Sequence, residues 1–393
     1  MLDINFIREN PDKVKQGVTV KGYDASLVNK VLDLDKRRRE LVQLIENLRT
    51  EKNKTAKEKD VEKGKQIKAQ LRKYEPELEE ADREFNEAML QIPNLPADDV
   101  TPGKDESDNK VLREGGKKIE FNFTPKDHLE LGQALDILDF ERGSKVAGSG
   151  FYYLKNKGVL LEFALIQYGI EFLREKEFIP TITPDVAREK DTDLGLIATS
   201  EVTLAGFHAD EVLNESDLPR KYGGYSHCFR VESGGYGKYS KGLYRVHQFA
   251  KVEMYVYCKP EESKELHQEL LALEEEFWKS LGVPYRVVEM CTGDLGAQAA
   301  RKFDLEAWMP GRGDWGEVTS TSDTTDYQTR RLNIKYRKGG ENQFLHTLNG
   351  TLVATPRAII AILENFQQED GAVAIPEVLQ KYTGFSLIKP KQA

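Results

Sequence analysis

Residues 27 to 92 carry two apolar ladders of identical pitch separated by a charged stretch. Leu27, Val31, Leu34, Arg38, Leu41, Ile45 and Leu48 advance by alternating steps of four and three, and Ile67, Leu71, Tyr74, Leu78, Ala81, Phe85, Ala88 and Ile92 do the same. That is the a/d spacing of a coiled-coil seam. Two such seams joined by a polar tip bury each other by folding back, so the pattern predicts a long antiparallel helical hairpin within residues 1–100. Two positions disturb it. Arg38 falls on the seam and must snorkel, and Pro76 removes a backbone donor, which predicts a bend in the second helix.

The tip, Glu51-Lys52-Asn53-Lys54-Thr55-Ala56-Lys57-Glu58-Lys59-Asp60 continuing through Lys63 and Lys65, has an excess of lysine, with Arg37, Arg38, Arg39 and Arg49 upstream. On its own such a run reads as a solvated helix face with i to i+4 pairs. A rigid projecting arm with surplus cations also fits a ruler laid along an RNA backbone, where phosphate contacts give shape-dependent, salt-sensitive affinity. The formal net charge of −9 argues against indiscriminate nucleic-acid binding but leaves room for this local stripe. Cys228, Cys258 and Cys291 are widely spaced without a zinc-type pattern and read as free, buried thiols. No apolar run reaches bilayer length, and Met1-Leu2-Asp3-Ile4 lacks the basic-then-apolar order of a signal peptide, so a cytoplasmic protein with no membrane partner is expected.

From Ile92-Pro93-Asn94-Leu95-Pro96 to Gly116 the chain is rich in Pro, Gly, Asp and Lys, and residues 101–116 read as a linker. The remainder, 117–393, mixes helical and alternating patterns. Thr124-Pro125-Lys126-Asp127 opens a helix expected to run to Leu138, and Leu161, Leu165, Tyr168 and Phe172 form the apolar face of another that stops before Pro180. Tyr244–Phe249, Val252–Tyr257, Tyr285–Val288 and Asn333–Arg337 read as strands around a helix from Glu262 to Leu281. The fold class is therefore α+β: a helical hairpin followed by a domain built on an antiparallel sheet flanked by helices. With no Gly-x-Gly-x-x-Gly or Walker lysine motif, a nucleotide bound here is bound in another way.

Short strings in the second half carry the chemistry. Thr199-Ser200-Glu201 and Val252-Glu253 offer carboxylates for an ammonium, Phe229-Arg230-Val231-Glu232 and Arg357 offer guanidinium groups for phosphates, and Glu317-Val318-Thr319-Ser320 combines a carboxylate with hydroxyls suited to a hard cation. Together they suit joining a small amino acid to a nucleotide.

The order Arg174-Glu175-Lys176-Glu177-Phe178-Ile179-Pro180, then Phe229 to Glu232 with a glycine-rich stretch to Phe249, then Gly350 to Arg357, resembles motifs 1, 2 and 3 of class II aminoacyl-tRNA synthetases. Cys291-Thr292-Gly293-Asp294-Leu295-Gly296, Asp326-Tyr327-Gln328-Thr329-Arg330-Arg331, His346-Thr347-Leu348-Asn349-Gly350 and Leu363-Glu364-Asn365-Phe366-Gln367, with the hairpin, resemble the seryl-tRNA synthetase family over essentially the whole chain. The resemblance implies an ATP-dependent ligase that forms seryl-adenylate and passes serine to tRNA(Ser), with tRNA(Sec) an open second acceptor, and a homodimer with motif 1 at its interface. It implies serine binding by Thr199, Ser200, Glu201, Glu253, Asn349 and Thr351, and ATP binding by Arg230, Val231, Glu232, Val246, Phe249, Glu317, Val318, Thr319, Ser320 and Arg357, the last sandwiching adenine with Phe249. Catalytic roles fall to Arg230, Arg357 and Glu317, magnesium to Glu317 and Ser320, and tRNA contact to Arg38, Arg49, Lys52, Lys54, Lys57 and Lys63.

The chain departs from that pattern in places. Thr351 stands where serine is commoner, Leu352 and Pro356 where glycines are frequent, and Asp323 where asparagine is. The segment between Ala187 and Leu194 is distinctly shorter than in the family. A true deletion there requires an intact mass of 44.7 kDa. A catalytically dead RNA-binding relative would lose Arg230, Glu232 or Arg357, and a ligase charging a carrier protein would lack the basic arm; this chain keeps all of them.

Overall fold

A computed structural model describes residues 1–188, 193–232 and 242–391. Short helices α1 (Ile4–Glu9) and α2 (Pro11–Val20) lead into two long ones, α3 (Ser26–Glu58) and α4 (Val61–Gln91), which pack along their seams as the hairpin the spacing requires. Val28, Val31, Leu41, Ile45 and Leu48 of α3 are buried, as are Ile67, Leu71, Ala81, Phe85 and Ala88 of α4. Lys59, in the left-handed region, ends α3, and the Asp60 side chain caps α4 by accepting from the Lys63 N–H at 3.0 Å. Arg38 does not merely snorkel: it pairs with Asp82 across the hairpin and lies over the Phe85 ring, 5.5 Å from its centroid. Pro76 leaves α4 a single helix. Asp35 is buried on α3, held by Arg8 of α1 at 2.5 Å and Arg39 at 3.0 Å.

The rest is organised around one eight-stranded sheet, its strands numbered here in chain order: β1 (Lys110–Gly115), β2 (Ile179–Ile182), β3 (Arg220–Phe229), β4 (Gln248–Cys258), β5 (Tyr285–Glu289), β6 (Arg301–Met309), β7 (Asp314–Thr325) and β8 (His346–Ala354). The spatial order is β1-β5-β6-β7-β8-β4-β3-β2, antiparallel throughout except for the parallel pair β2–β3. Helices α5 (His128–Ala134), α6 (Lys157–Glu175), α7 (Ser200–Ala205), α8 (Ser263–Ser280), α9 (Tyr327–Leu332) and α10 (Thr355–Asn365) flank it. The main apolar core fills the space between the sheet and α6, α8 and α10, with Leu161, Val252, Phe277, Trp278 and Ile359 inside. Among the described residues no helix is long and apolar enough to cross a membrane.

Three expectations need correction. The linker contains an element: Lys110–Gly115 pairs with β5 as the sheet's edge strand. The helix after Asp127 has the expected capping box with Glu130 but ends at Ala134, because Asp136 takes a positive φ of 53° and sends Leu138 into a short strand pair. Tyr244 lies in a 3-10 turn, Gly242–Tyr244, and β4 starts only at Gln248. The short junction after Ala187 joins Val186–Arg188 to Leu194–Leu196 as antiparallel partners, with residues 189–192 outside the described set.

Candidate active site

Strand register assembles the site. On β4 and β8, Glu253 stands opposite Thr351, and the Thr351 hydroxyl donates to its carboxylate at 3.2 Å. Asn349, two residues earlier and so on the same face, donates to Glu201 at 3.2 Å. Thr199 caps α7 by accepting from the Glu201 N–H at 3.1 Å, which places Glu201 in the first turn. Two carboxylates, Glu201 and Glu253, therefore face one small space. Burial, and next the charge of Glu253, push the Glu201 pKa up. A substrate ammonium between them would relieve both effects.

On β7 a bulge decides the geometry. Leu305 pairs with Thr319 but Glu306 pairs with Glu317, so Val318 is the extra residue. Without it Glu317 and Ser320, three apart, would point to opposite faces; the bulge brings both to one cleft. Arg357, at the start of α10, reaches the Glu317 carboxylate at 2.9 Å and its carbonyl at 3.0 Å. Burial alone would raise the Glu317 pKa, but Arg357 and Lys302 outweigh it and hold the carboxyl below its ordinary value. Asp304 stands opposite Ser320, and burial, with Glu317 adding, pushes its pKa up to about 7 against the pull of Lys302.

The cleft that results encloses about 480 Å³, part of it open to solvent, and is lined by Arg230, Glu232, Val246, Phe249, Glu317, Ser320, Thr351 and Arg357 among others. Arg230 lies 5.2 Å from the Phe249 ring centroid, while Arg357 lies over Tyr244 at 4.7 Å. The aromatic floor is thus shared between two rings, each with its own cation. Glu232 pairs with Arg245 at 3.4 Å, where the chain enters residues 233–241, outside the described set.

Family models match both parts of the chain: the seryl-tRNA synthetase N-terminal domain over residues 1–96, and the tRNA synthetase class II core domain (G, H, P, S and T) over residues 184–366. The serine–tRNA ligase of Dictyoglomus turgidum is 48% identical over 425 aligned positions, covering 100% of both chains, and that of Treponema denticola is 49% identical, covering 99% of this chain and 100% of its own. The chain belongs to the seryl-tRNA synthetase family. A crystal structure of the seryl-tRNA synthetase of Pyrococcus horikoshii complexed with ATP superposes with a TM-score of 0.93 at 42% identity, covering 100% of both chains. The cytoplasmic serine–tRNA ligase of Naegleria fowleri in complex with AMP gives 0.89 at 36%, covering 100% of this chain and 99% of its own. The 425 aligned positions exceed the 393 residues present, so the alignment carries gaps on this side.

Against this family background, most residues expected in the site converge and a few do not. Val231 is 81% exposed and does not line the cleft. Ser200 is fully buried with its hydroxyl beside the place a Cβ on Gly224 would take, facing the sheet. Thr319 lines the cleft, while its hydroxyl donates to Glu274 of α8 at 3.1 Å. Val318 is buried, and Val246 lies in the cleft wall.

Sequence reasoning passed over Lys251, Gln328 and Tyr244. Lys251 is buried, paired with Glu253, and donates to the Thr199 hydroxyl at 2.6 Å. Gln328 donates to Glu201 at 2.7 Å. Alternation along β4 could have found Lys251, which shares a face with Phe249 and Glu253. On the arm, Arg38, Arg49 and Lys63 are engaged by Asp82, Glu75 and Glu51, whereas Lys52, Lys54 and Lys57 are exposed, with no ion pair among the described residues.

The donor set of Glu317 and Ser320 is one carboxylate and one hydroxyl, and among the described residues no group of three or more His, Cys, Asp or Glu could hold a metal. Magnesium is commonly bound by one or two carboxylates together with substrate phosphates. The residues thus fit an ion that arrives with a nucleotide.

Proposed function

We propose that the chain is a serine–tRNA ligase, activating L-serine with ATP and transferring it to tRNA(Ser), with tRNA(Sec) an additional candidate acceptor. One observation carries this reading: Arg230, Arg357 and Glu317 line a cleft whose wall includes Thr351 and Lys251, both of which hold Glu253, and Glu253 in turn lies close enough to Glu201 for the two charges to repel. Glu201 and Glu253 hold the serine ammonium, and Thr351 and Asn349 border the space for its side chain. The serine carboxylate then attacks the α-phosphate in line, with Arg230 taking up the charge that gathers there, and pyrophosphate leaves. Phe249 and Tyr244 offer faces for adenine, and Arg357, held by Glu317, would take the terminal phosphates. Magnesium, held by Glu317 and Ser320, would neutralise phosphate charge. In the second step the terminal ribose hydroxyl of the tRNA attacks the seryl carbonyl and AMP leaves.

The lysines of the arm tip support contact with a tRNA backbone. Homodimerisation belongs to this reading, supported by exposed Leu160, Phe163, Ile179 and Ile182 on α6 and β2. So does work in the cytoplasm, with which three buried free cysteines agree.

The test is ATP–pyrophosphate exchange with magnesium. Exchange is expected with serine, and at least about tenfold less with alanine, which lacks the hydroxyl, or with threonine and cysteine. A folded protein without serine-dependent exchange would overturn the ligase reading and favour a non-catalytic RNA-binding role.

A further inference from the structure

The helical domain touches the amino-acid end of the site through a short chain of polar contacts that begins at Lys21. This lysine follows α2 and is buried. Burial pulls its pKa down to about 7. Its ammonium meets the carbonyls of Asn94 at 2.9 Å, Ala299 at 2.8 Å and Ala297 at 3.5 Å, an acceptor for each of its three N–H groups. Asn94 grips the same loop: its backbone N–H donates to the Ala297 carbonyl at 2.8 Å and its side-chain amide to the Gln298 carbonyl at 2.9 Å. Successive carbonyls from 297 to 299 are thus held by residues outside the sheet.

Gln298, in the middle of that loop, accepts from the Gln328 amide at 2.8 Å, and the other amide hydrogen of Gln328 goes to Glu201 at 2.7 Å. The Gln328 carbonyl oxygen is occupied by the hydroxyls of Tyr255 at 2.7 Å and Thr347 at 2.9 Å. Both donors and the acceptor of Gln328 are therefore committed, which fixes the direction from which Glu201 is held. The helix that carries Gln328 is itself tied to the helical domain, since Tyr327 donates to the Ile92 carbonyl at 2.8 Å and Arg331 to that of Leu90 at 2.8 Å.

We infer that Lys21, Asn94 and Gln298 are positioning residues for serine recognition, acting through Gln328 on Glu201, so that the helical domain tunes amino-acid affinity before any tRNA arrives. The inference rests on the reading of Glu201 as a ligand of the serine ammonium.

Serine-dependent pyrophosphate exchange by the full chain without tRNA tests it, comparing wild type with Lys21→Met and Gln298→Ala. The expected result is a KM for serine raised about five- to tenfold in both variants, with KM for ATP and kcat within about twofold of wild type. A Lys21→Met protein that melts at lower temperature but keeps its serine KM would show that the contact only joins the domains, and would overturn the inference. Equal increases in both KM values would overturn it as well. Gln298→Ala leaves every backbone contact of the loop in place, so should Lys21→Met fail to fold, an unchanged serine KM in Gln298→Ala is decisive against. Absence of serine-dependent exchange in the wild type is a different outcome: it removes the functional reading, and this inference with it.

Discussion

Glu201 shows how one side chain's surroundings set a measurable pH dependence. Its pKa is raised, burial first and Glu253 second, with Lys251, Gln328 and Arg230 pulling the other way. A raised carboxyl pKa means that the free protein takes up a proton at a higher pH than an ordinary glutamate, and the protonated form no longer attracts an ammonium. We therefore expect kcat/KM for serine to fall about tenfold per pH unit on the acid side, from an onset above the usual glutamate value, because this ratio reports the free enzyme. Glu201→Gln should abolish that limb and lower kcat/KM at neutral pH by about ten- to hundredfold, the worth of one charge-assisted hydrogen bond. A wild-type profile flat down to an ordinary glutamate pKa would refute the assignment. Glu201 was legible in the sequence through the resemblance of its Thr199-Ser200-Glu201 string to the family's. Gln328 was not, since its role depends on Gln298 and Tyr255, which no local pattern joins to it. Lys251 was hidden for another reason: in a strand of apolar neighbours it has the look of a solvent-side residue until Glu253 and Thr199 are placed around it.

At the scale of elements, the arm was the most legible part, because a seam states its own partner. What the seam could not announce was Asp35, whose burial depends on Arg8 from α1. The edge strand β1 was illegible for the opposite reason: five of its six residues are exposed, so it has no apolar alternation to read. The bulge at Val318 is equally silent in sequence, though it aims Glu317. Within the arm, Ile45, Leu48, Ile67 and Leu71 form a cluster of their own, separate from the main core. Ile67→Ala should cost about 2–5 kcal/mol, and the loss should appear as local opening of the distal arm, not of the whole fold. Hydrogen exchange would show protection lost around residues 45–71 alone. Serine-dependent pyrophosphate exchange should stay within about twofold of wild type, while aminoacylation of tRNA falls about tenfold or more. Equal loss in both assays would argue against a tRNA-specific arm.

For the molecule as a whole, the unanswered surface lies at the β2 end of the sheet. Strand β2 pairs with β3 on one side; its Ile182 is 80% exposed and its Ile179 about half, and on α6 Phe163 is 60% exposed and Leu160 about half. Exposed large apolar side chains on an edge strand and its neighbouring helix invite a partner surface, and a second copy related by a two-fold axis would cover them in both copies at once. The same helix reaches the catalytic end: Glu162, next to Phe163, accepts from the Thr355 hydroxyl at 2.6 Å, and Thr355 opens α10, two residues before Arg357. A partner that steadies α6 therefore steadies the arginine over Tyr244. Phe163→Glu places a charge in the middle of that face without altering any residue of the cleft. By light scattering the mass should drop from twice 44.7 kDa to 44.7 kDa. In the resulting monomer the KM for ATP should rise more than the KM for serine, because Arg357 belongs to the nucleotide end while Glu201 and Glu253 are held by α7, α9 and β8. A Phe163→Glu protein that stays dimeric would place the interface elsewhere, and a monomer with unchanged ATP kinetics would break the proposed link between α6 and Arg357.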